Sequence, residues 1–270
     1  MDAPVVAVLS LKGGVGKTTV TLGLASAAMQ EGRRVLVVDL DPQGNATAGL
    51  NLSDVPTFTT SDVLYDGRTG VALDAVVATG WGPLIDAIAA ERALEHRAVP
   101  SGADPVRRLQ RALRGAADRY DLILLDCPPS LGELTRNALF AADQAIVVTE
   151  PTYFAVQGAQ QAVEAVEVAR REGNVGLHVV AIVPNRARVR LSEHRYRLQE
   201  LQGVFGATVT EAIPERTAIQ QAQGAGVPIH AWRSTGARSA ALAFEDLLGR
   251  VADVSAREHR RLHGPGPAVT

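Results

Sequence analysis

The chain has 270 residues, 46% of them hydrophobic, which suffices for one buried core, and a single domain is expected over residues 1–256. Its 27 basic and 29 acidic residues give a net charge of −2, which excludes a globally basic nucleic-acid-binding chain and leaves only local patches for such binding. The single cysteine, Cys127, excludes an intrachain disulfide framework and fits a reducing cytosol, and no apolar run approaches the length of a membrane span.

The first two predicted elements enclose a glycine-rich turn. A strand is predicted at Val5–Leu9, a short apolar run rich in β-branched residues, and a helix at residues 17–30. Glycines between them allow positive φ angles and aim backbone N–H groups at an anion, and the helix N-terminus adds partial positive charge. The chain's only two lysines, Lys12 and Lys17, lie in this turn, which predicts a phosphate-binding loop. The residues of this loop are Lys12, Gly13, Gly14, Val15, Gly16, Lys17, Thr18 and Thr19.

The turn predicts nucleotide binding in particular. Lys17 would reach the β- and γ-phosphates of a nucleotide, and the hydroxyl of Thr18 would ligate Mg²⁺. The match to the pattern G-x-x-x-x-G-K-[ST] is incomplete, because Leu11 stands where its first glycine belongs.

Two further strands are predicted at residues 34–39 and 121–126, and each ends in an aspartate. A lone aspartate at a strand end is usually a helix cap or a turn former. Here Asp39, Asp41 and Asp126 would meet beside the phosphate-binding loop, because the carboxyl ends of parallel strands share one edge of a sheet. At this edge Asp126 fits the role of a Walker B carboxylate that holds Mg²⁺ or its water ligands.

The rest of the chain alternates between strand-like and helix-like segments. Strands are predicted at residues 145–149, 178–183 and 208–212, and helices at 105–117, 135–141, 154–171, 192–202, 218–222 and 237–251. This alternation predicts an α/β fold with a mostly parallel twisted sheet and helices on both faces. Residues 51–104 give no clear elements, and the polar residues 257–270 predict a flexible tail.

Three motifs resemble one family. Residues 12–18, Lys-Gly-Gly-Val-Gly-Lys-Thr, resemble the deviant Walker A signature K-G-G-x-G-K-[ST] of the ParA/MinD class of P-loop ATPases. Residues 39–45, Asp-Leu-Asp-Pro-Gln-Gly-Asn, are similar to its second motif, D-x-D-P-Q-G-N. Residues 126–132, Asp-Cys-Pro-Pro-Ser-Leu-Gly, resemble the D-C-P-P-S-L-G motif of ParA-type chromosome and plasmid partition ATPases. The resemblance covers nearly the whole chain and is weakest over residues 51–104.

The resemblance implies a P-loop NTPase fold and a slow ATPase that a partner stimulates. Lys12 would reach across a dimer interface to the nucleotide of the other subunit, which implies a homodimer with two ATP molecules sandwiched between the protomers. Lys12, Lys17 and Asp41 would then be catalytic, with Asp41 positioning the attacking water and Asp39 supporting the metal shell.

Adenine contacts are also implied by the resemblance. Asn185 stands where a related subfamily places an adenine-reading asparagine, and Pro214 matches the proline of the family's I-P-R-N segment. Glu215 and Arg216 replace the arginine and asparagine of that segment.

A cluster of five arginines offers a local basic patch, although charge alone more often indicates a solvated helix face. This arginine cluster consists of Arg186, Arg188, Arg190, Arg195 and Arg197. The resemblance implies a nucleoid-associated cytoplasmic protein that binds double-stranded DNA without sequence preference and responds to a ParB-like centromere-binding partner. The candidate DNA-binding residues are Arg186, Arg188, Arg190, Arg195, Arg197, Arg233 and Arg238.

Four other interpretations are weaker. Membrane docking is not expected, because residues 250–262 lack the bulky apolar face that a membrane-surface helix needs. One alternative is a P-loop ATPase that positions a protein cluster. Another is a metabolic P-loop enzyme that acts on a small substrate. A scaffold that binds ATP without hydrolysis is disfavoured by the retained Asp41.

Overall fold

The computed structural model describes residues 3–98 and 104–263, with the side chains of residues 3–97 and 104–254. These residues form a seven-stranded sheet of spatial order β3-β4-β2-β5-β1-β6-β7. All neighbouring strands are parallel except β3 and β4, which pair antiparallel at one edge. The mostly parallel sheet confirms the predicted α/β class. The strands are β1 Val5–Leu9, β2 Val35–Asp39, β3 Val77–Ala78, β4 Ile85–Ile88, β5 Leu122–Asp126, β6 Gln144–Thr149 and β7 His178–Pro184.

The helices connect these strands and cover both faces of the sheet. The described α-helices are α1 Lys17–Gln30, α2 Asn45–Gly49, α3 Thr60–Asp66, α4 Arg108–Ala112, α5 Glu133–Ala141, α6 Ala155–Arg171, α7 Ser192–Phe205, α8 Thr217–Gly224 and α9 Thr235–His263. Short 3₁₀ helices lie between them at Val71–Ala75, Arg92–Ala98, Pro105–Arg107, Ala116–Asp118, Gly206–Thr208 and Ile229–Ala231. Within residues 3–98 and 104–263, no helix has the length and apolar character needed to cross a bilayer.

Each face of the sheet buries its own apolar cluster. Successive residues of β1 alternate between them, with Leu9 in the cluster under α5 and α6 and Val8 in the cluster under α1 and α9. Helices α1 and α9 approach so closely that a Cβ added to Gly23 would lie 2.3 Å from the ring of Phe244. This packing fixes α1, and the loop that leads into it, against the sheet.

The strand predicted at residues 208–212 is wrong. The 3₁₀ turn Gly206–Thr208 is followed by an extended segment with two isolated parallel bridges, one from Val209 to Ile182 of β7 and one from Pro214 to Ala187, which lies beyond β7. Its N–H donors on Thr210 and Ile213 are three residues apart, whereas the carbonyls they reach on β7 are two apart. Pro184 of β7 has no N–H to donate, so a regular ladder cannot form there.

Other boundaries also differ from the predictions. The helix predicted at residues 105–117 is broken, since α4 is flanked by 3₁₀ turns and Gly115 adopts a φ of 83°. Helix α9 continues to His263, into the segment predicted to be a flexible tail, and residues 264–270 lie outside the described part of the chain. The limits of the ATPase domain stay a prediction.

Candidate active site

The glycine-rich turn links β1 to α1 at the carboxyl edge of the sheet. Gly14 and Gly16 adopt φ angles of 79° and 92°, a region that strains residues with side chains. The backbone therefore curls around the N-terminus of α1, where N–H groups lack helical partners and favour an anion. Lys17 opens the helix with its side chain buried and its Nζ 3.4 Å from Oγ of Ser10. The predicted phosphate-binding loop thus has the strand–turn–helix context that its motif requires.

The carboxylate of Asp126 lies directly beneath this loop. Its Oδ2 accepts a hydrogen bond of 2.8 Å from the hydroxyl of Thr18, and its Oδ1 accepts one of 2.8 Å from the hydroxyl of Thr21. Because β5 pairs in parallel with both β1 and β2, Asp126 stands beside Asp39 in the register of the sheet. The Thr18 hydroxyl and the carboxylates of Asp126 and Asp39 therefore lie together at the carboxyl edge of the sheet.

Asp39 and Asp41 are held by the turn that follows β2. Oδ2 of Asp39 accepts bonds of 2.8 Å from both the N–H and the hydroxyl of Thr47, and its Oδ1 accepts the N–H of Asp41 at 3.1 Å. Oδ1 of Asp41 accepts the N–H of Gln43 at 3.0 Å. Both carboxylates are therefore oriented by backbone N–H groups, and Asp39 also by the hydroxyl of Thr47.

Burial dominates the electrostatics of this edge. Desolvation raises the pKa of Asp126, and the nearby charge of Asp39 raises it further, against the opposing hydroxyl bonds of Thr18 and Thr21 and the charge of Lys17. The pKa of Asp39 is likewise raised, chiefly by desolvation. Burial lowers the pKa of Lys17, although the charge of Asp126 opposes that shift. Two neighbouring buried carboxylates therefore favour an added cation.

The donor set fits Mg²⁺. Hard oxygen donors from one hydroxyl and one or two carboxylates suit this ion, which usually completes its shell with water and substrate phosphates. Thr18, Asp126 and Asp39 would supply the protein's share, and the described residues contain no cluster of three or more His, Cys, Asp or Glu side chains that would form a fuller cage.

A cavity of about 700 Å³ opens above the loop. Its wall includes loop residues, Asp41 and Gln43 from the turn after β2, and Gln223 from α8. Lys12 is exposed and does not line this cavity. The predicted loop residues that do line it are Gly13, Gly14, Gly16, Lys17, Thr18 and Thr19.

The two residues predicted to contact adenine lie elsewhere. Asn185 is buried, and its Nδ2 donates to the carbonyl of Val15 at 2.8 Å. Pro214 lines a separate cavity of about 500 Å³ between the segment after Val209 and α9. Neither residue borders the cavity above the loop. Adenine recognition by this pair stays a prediction.

The arginine cluster separates into residues engaged within the chain and residues that project outward. Arg186 donates to the carbonyl of Gly14 at 2.8 Å, and Arg188 pairs with Glu215. Arg195 donates to the carbonyls of Val189 and Arg190 at 3.1 Å, where the chain enters α7. These three guanidinium groups thus have contacts inside the protein that charge patterning did not indicate.

Arg197 is enclosed by acidic and aromatic side chains. It donates bonds of 2.7 Å to Glu193 and Glu200 and lies 5.0 Å from the ring centroids of Tyr153 and Tyr196. Its side chain is 14% exposed, so it is poorly placed for a phosphate. Arg190 of the cluster is exposed, as are the two other candidate DNA-binding residues, Arg233 and Arg238, near the start of α9.

Sequence reasoning missed several supporting residues. Thr21 lies one helical turn after Lys17, so helical spacing could have placed its hydroxyl near the same carboxylate. Thr47 follows the second motif by two residues and fixes Asp39. Gln223 donates to the hydroxyl of Thr19 at 3.2 Å, and its separation of 204 residues leaves no signal in one sequence.

Comparison with known proteins gives a consistent family assignment. A family model described as an AAA domain matches residues 3–179. The sporulation initiation inhibitor protein Soj of Bacillus subtilis is 35% identical over 256 residues, covering 92% of this chain and 98% of Soj. The chromosome partitioning protein ParA of Caulobacter vibrioides is 36% identical over 232 residues, covering 83% of this chain and 85% of that protein.

Solved structures share the fold and include nucleotide complexes. Cobyrinic acid a,c-diamide synthase from Mycobacterium smegmatis, with a bound ATP analogue and magnesium, superposes with a TM-score of 0.76 and 27% identity, over 97% of this chain and 96% of that one. The cell division ATPase MinD of Pyrococcus furiosus superposes with a TM-score of 0.74 and 27% identity, over 94% and 100% of the two chains.

Proposed function

Because the chain belongs to the family of the ParA and Soj P-loop ATPases, we propose that it is an ATP-driven DNA partition switch. ATP and Mg²⁺ are its cofactors. In the proposed cycle, two protomers close around two ATP molecules, and the dimer binds double-stranded DNA without sequence preference in the cytoplasm, on the nucleoid. A ParB-like centromere-binding partner then stimulates hydrolysis and release, which moves a chromosome or a plasmid.

The observation that carries this proposal is the meeting of Lys17, Thr18, Asp126 and Asp41 at one edge of the sheet. The buried ammonium of Lys17 and the inward-turned loop amides would offset the charge of the nucleotide's phosphates. Bound Mg²⁺ would add electrostatic stabilisation of the phosphates. Asp41 borders the cavity and is oriented by Gln43, as a residue that positions the attacking water should be.

The placement of Lys12 supports the dimer. Its side chain is exposed and lies outside the wall of its own nucleotide cavity, whereas Lys17 and Thr18 of the same loop line that wall. A lysine so placed is available to the nucleotide of a second protomer.

The DNA surface rests on fewer residues than the charge pattern suggested. Arg190, Arg233 and Arg238 are exposed, and each proposed dimer would carry two copies of them. Nonspecific binding through such contacts releases counterions, so its affinity should fall steeply with salt.

The experiment is binding of a random-sequence duplex by the full chain with Mg-ATP, with Mg-ADP and without nucleotide, across a salt series. The proposal expects salt-sensitive binding that appears only with ATP, together with a shift from monomer to dimer in analytical ultracentrifugation. A protein that dimerises and hydrolyses ATP but binds no duplex in any state contradicts the DNA switch.

A metabolic P-loop enzyme is the second candidate, favoured by the likeness to cobyrinic acid a,c-diamide synthase. It predicts ATP turnover that depends on a small substrate and is indifferent to DNA. The sequence relatives named for chromosome partitioning are the more similar proteins, at 36% against 27% identity, and they favour the partition switch.

A further inference from the structure

Two consecutive residues beyond β7 hold the phosphate-binding loop from its outer side. Nδ2 of Asn185 donates to the carbonyl of Val15 at 2.8 Å, and the guanidinium of Arg186 donates to the carbonyl of Gly14 at 2.8 Å. About 170 residues separate each donor from its acceptor in sequence. The end of β7 thus fixes two successive peptide units of the loop.

The direction of these bonds determines where the loop amides point. In a planar trans peptide the C=O and the following N–H are antiparallel. Anchoring the carbonyl of Gly14 outward turns the N–H of Val15 inward, and anchoring the carbonyl of Val15 does the same for the N–H of Gly16. Inward-turned successive amides form the concave anion site that a phosphate needs.

The backbone around Asn185 and Arg186 is itself restrained. Arg186 has a φ of 55°, an uncommon conformation for a residue with a long side chain, which persists where surrounding structure imposes it. The N–H of Asn185 donates to the carbonyl of Thr149 at 2.7 Å, and the N–H of Ala187 donates to that of Ile213 at 3.0 Å. Bonds on both sides therefore fix the pair, and the φ of Arg186 sets the direction of a side chain that ends on Gly14.

Close packing adds a steric element to this arrangement. Gly16 has a φ of 92°, and a Cβ added there would lie 2.1 Å from Nδ2 of Asn185. The loop can therefore lie against Asn185 only with glycine at that position.

We propose that Asn185 and Arg186 are positioning residues of the phosphate site, which pre-organise the Val15 and Gly16 amides for the nucleotide's phosphates. Arg186 is accordingly not a DNA contact, and Asn185 acts on the phosphates rather than on adenine. The inference rests on the triphosphate binding assigned above and is independent of whether the protein binds DNA.

The first test compares Arg186→Gln with Arg171→Gln in the full chain. Both variants remove one positive charge, but only Arg186 bonds the loop, whereas Arg171 is exposed at the end of α6. Competition of inorganic tripolyphosphate against a fluorescent ATP analogue should show a loss of about tenfold in Arg186→Gln and none in Arg171→Gln, as expected for one charge-assisted hydrogen bond. DNA binding at saturating Mg-ATP should persist in Arg186→Gln. Unchanged phosphate affinity in Arg186→Gln, or loss of DNA binding at saturating nucleotide, overturns the proposal.

The second test separates phosphate positioning from base recognition. Asn185→Ala is titrated with ATP, GTP and tripolyphosphate, with far-UV circular dichroism to verify folding. Positioning predicts that all three lose affinity by a similar factor, whereas an adenine contact predicts that only ATP does, with the ratio of ATP to GTP affinity collapsing. A selective loss for ATP overturns the assignment. If the wild-type chain binds tripolyphosphate but no DNA, the partition switch fails while this inference stands.

Discussion

The hydroxyl of Ser26, buried in α1, lies 2.6 Å from Nδ1 of His230, and the same oxygen accepts the N–H of His230 at 3.3 Å. The other ring nitrogen, Nε2, lies 3.2 Å from a carboxylate oxygen of Glu245 in α9. This arrangement matches a neutral imidazole protonated at Nε2, with the hydroxyl donating to Nδ1. The helix that carries the phosphate-binding loop is thereby tied to the helix packed across it.

The buried position of His230 makes the free energy of unfolding depend on pH. Burial lowers the pKa of His230, against the opposing charge of Glu245, so the unfolded chain binds the proton more readily. The stabilisation is complete above the unfolded pKa of about 6.5, decreases as pH falls below that value, and is lost once pH has fallen through the lower pKa of the folded state. We expect the melting temperature of the wild type to drop more between pH 7.5 and 5.5 than that of His230→Gln, measured by differential scanning fluorimetry. Parallel curves for the two proteins would contradict this assignment.

The buried carboxylate of Asp126 should cost stability while the nucleotide site is free of metal. Its pKa, raised to about 7, means that the ionised form is disfavoured on folding, a penalty that is absent below the unfolded pKa and grows as pH rises to the folded pKa. Asp126→Asn removes the repulsion with Asp39, so we expect the metal-free protein to melt about 2–4 °C higher. Mg²⁺ should stop enhancing ATP affinity, as isothermal titration with and without Mg²⁺ would show. A lower melting temperature together with intact Mg²⁺ dependence would contradict both expectations.

Asp41→Ala should separate binding from turnover. Asp41 borders the cavity but makes no hydrogen bond to the phosphate-binding loop among the described residues, so ATP affinity should change little. Loss of a group that positions the attacking water should slow hydrolysis by about 10²–10⁴-fold. Phosphate release measured beside nucleotide affinity tests this, with the exposed Asp54→Ala as the matched control. Equal turnover in the two variants would remove Asp41 from catalysis.

The two lysines of the loop should give different phenotypes. Lys17 is buried within its own site, so Lys17→Ala should lose nucleotide affinity in the monomer. Lys12 is exposed, so Lys12→Ala should bind ATP as a monomer but fail to dimerise. Sedimentation velocity with a slowly hydrolysed ATP analogue distinguishes these outcomes. A Lys12→Ala protein that still forms the ATP dimer would exclude the proposed role of Lys12 between protomers.

The sequence predicted the fold and the site where the determining signals are local. Strand β1, the glycine turn and the start of α1 are contiguous, and the aspartates follow directly from apolar strands, so pattern and chemistry coincide within a few residues. Parallel pairing then brings Asp39 and Asp126 together without further information.

Local signals fail where tertiary contacts decide. The two-residue strand β3 is too short for a periodic pattern, and the segment at 208–212 has strand-like composition but faces Pro184, which cannot donate. The contact of Arg186 with Gly14 depends on a positive φ and on a sequence separation of 172 residues. Neither signal can be read from the local sequence, so this contact was not predicted, and DNA binding by Arg186 stays a prediction.

The arginine cluster gives a last prediction, since its members differ in environment. Arg190 is exposed, whereas Arg197 is enclosed by Tyr153 and Tyr196 and paired with glutamates. Removing Arg190 should weaken DNA binding and reduce the slope of log affinity against log salt by about 0.9 for each DNA phosphate that is no longer neutralised, with no change in melting temperature. Removing Arg197 should lower the melting temperature by a few degrees, because stacking on an aromatic face contributes roughly 0.5–1 kcal/mol at exposed sites.

Arg190→Ala and Arg197→Ala each remove one positive charge, so they form a matched pair. In Arg190→Ala, duplex affinity across a salt series should fall while the melting temperature stays unchanged. In Arg197→Ala, the melting temperature should fall while duplex affinity stays unchanged. Loss of DNA affinity in Arg197→Ala at an unchanged melting temperature would place the DNA surface along α7. It would also mean that the aromatic enclosure of Arg197 opens when DNA binds.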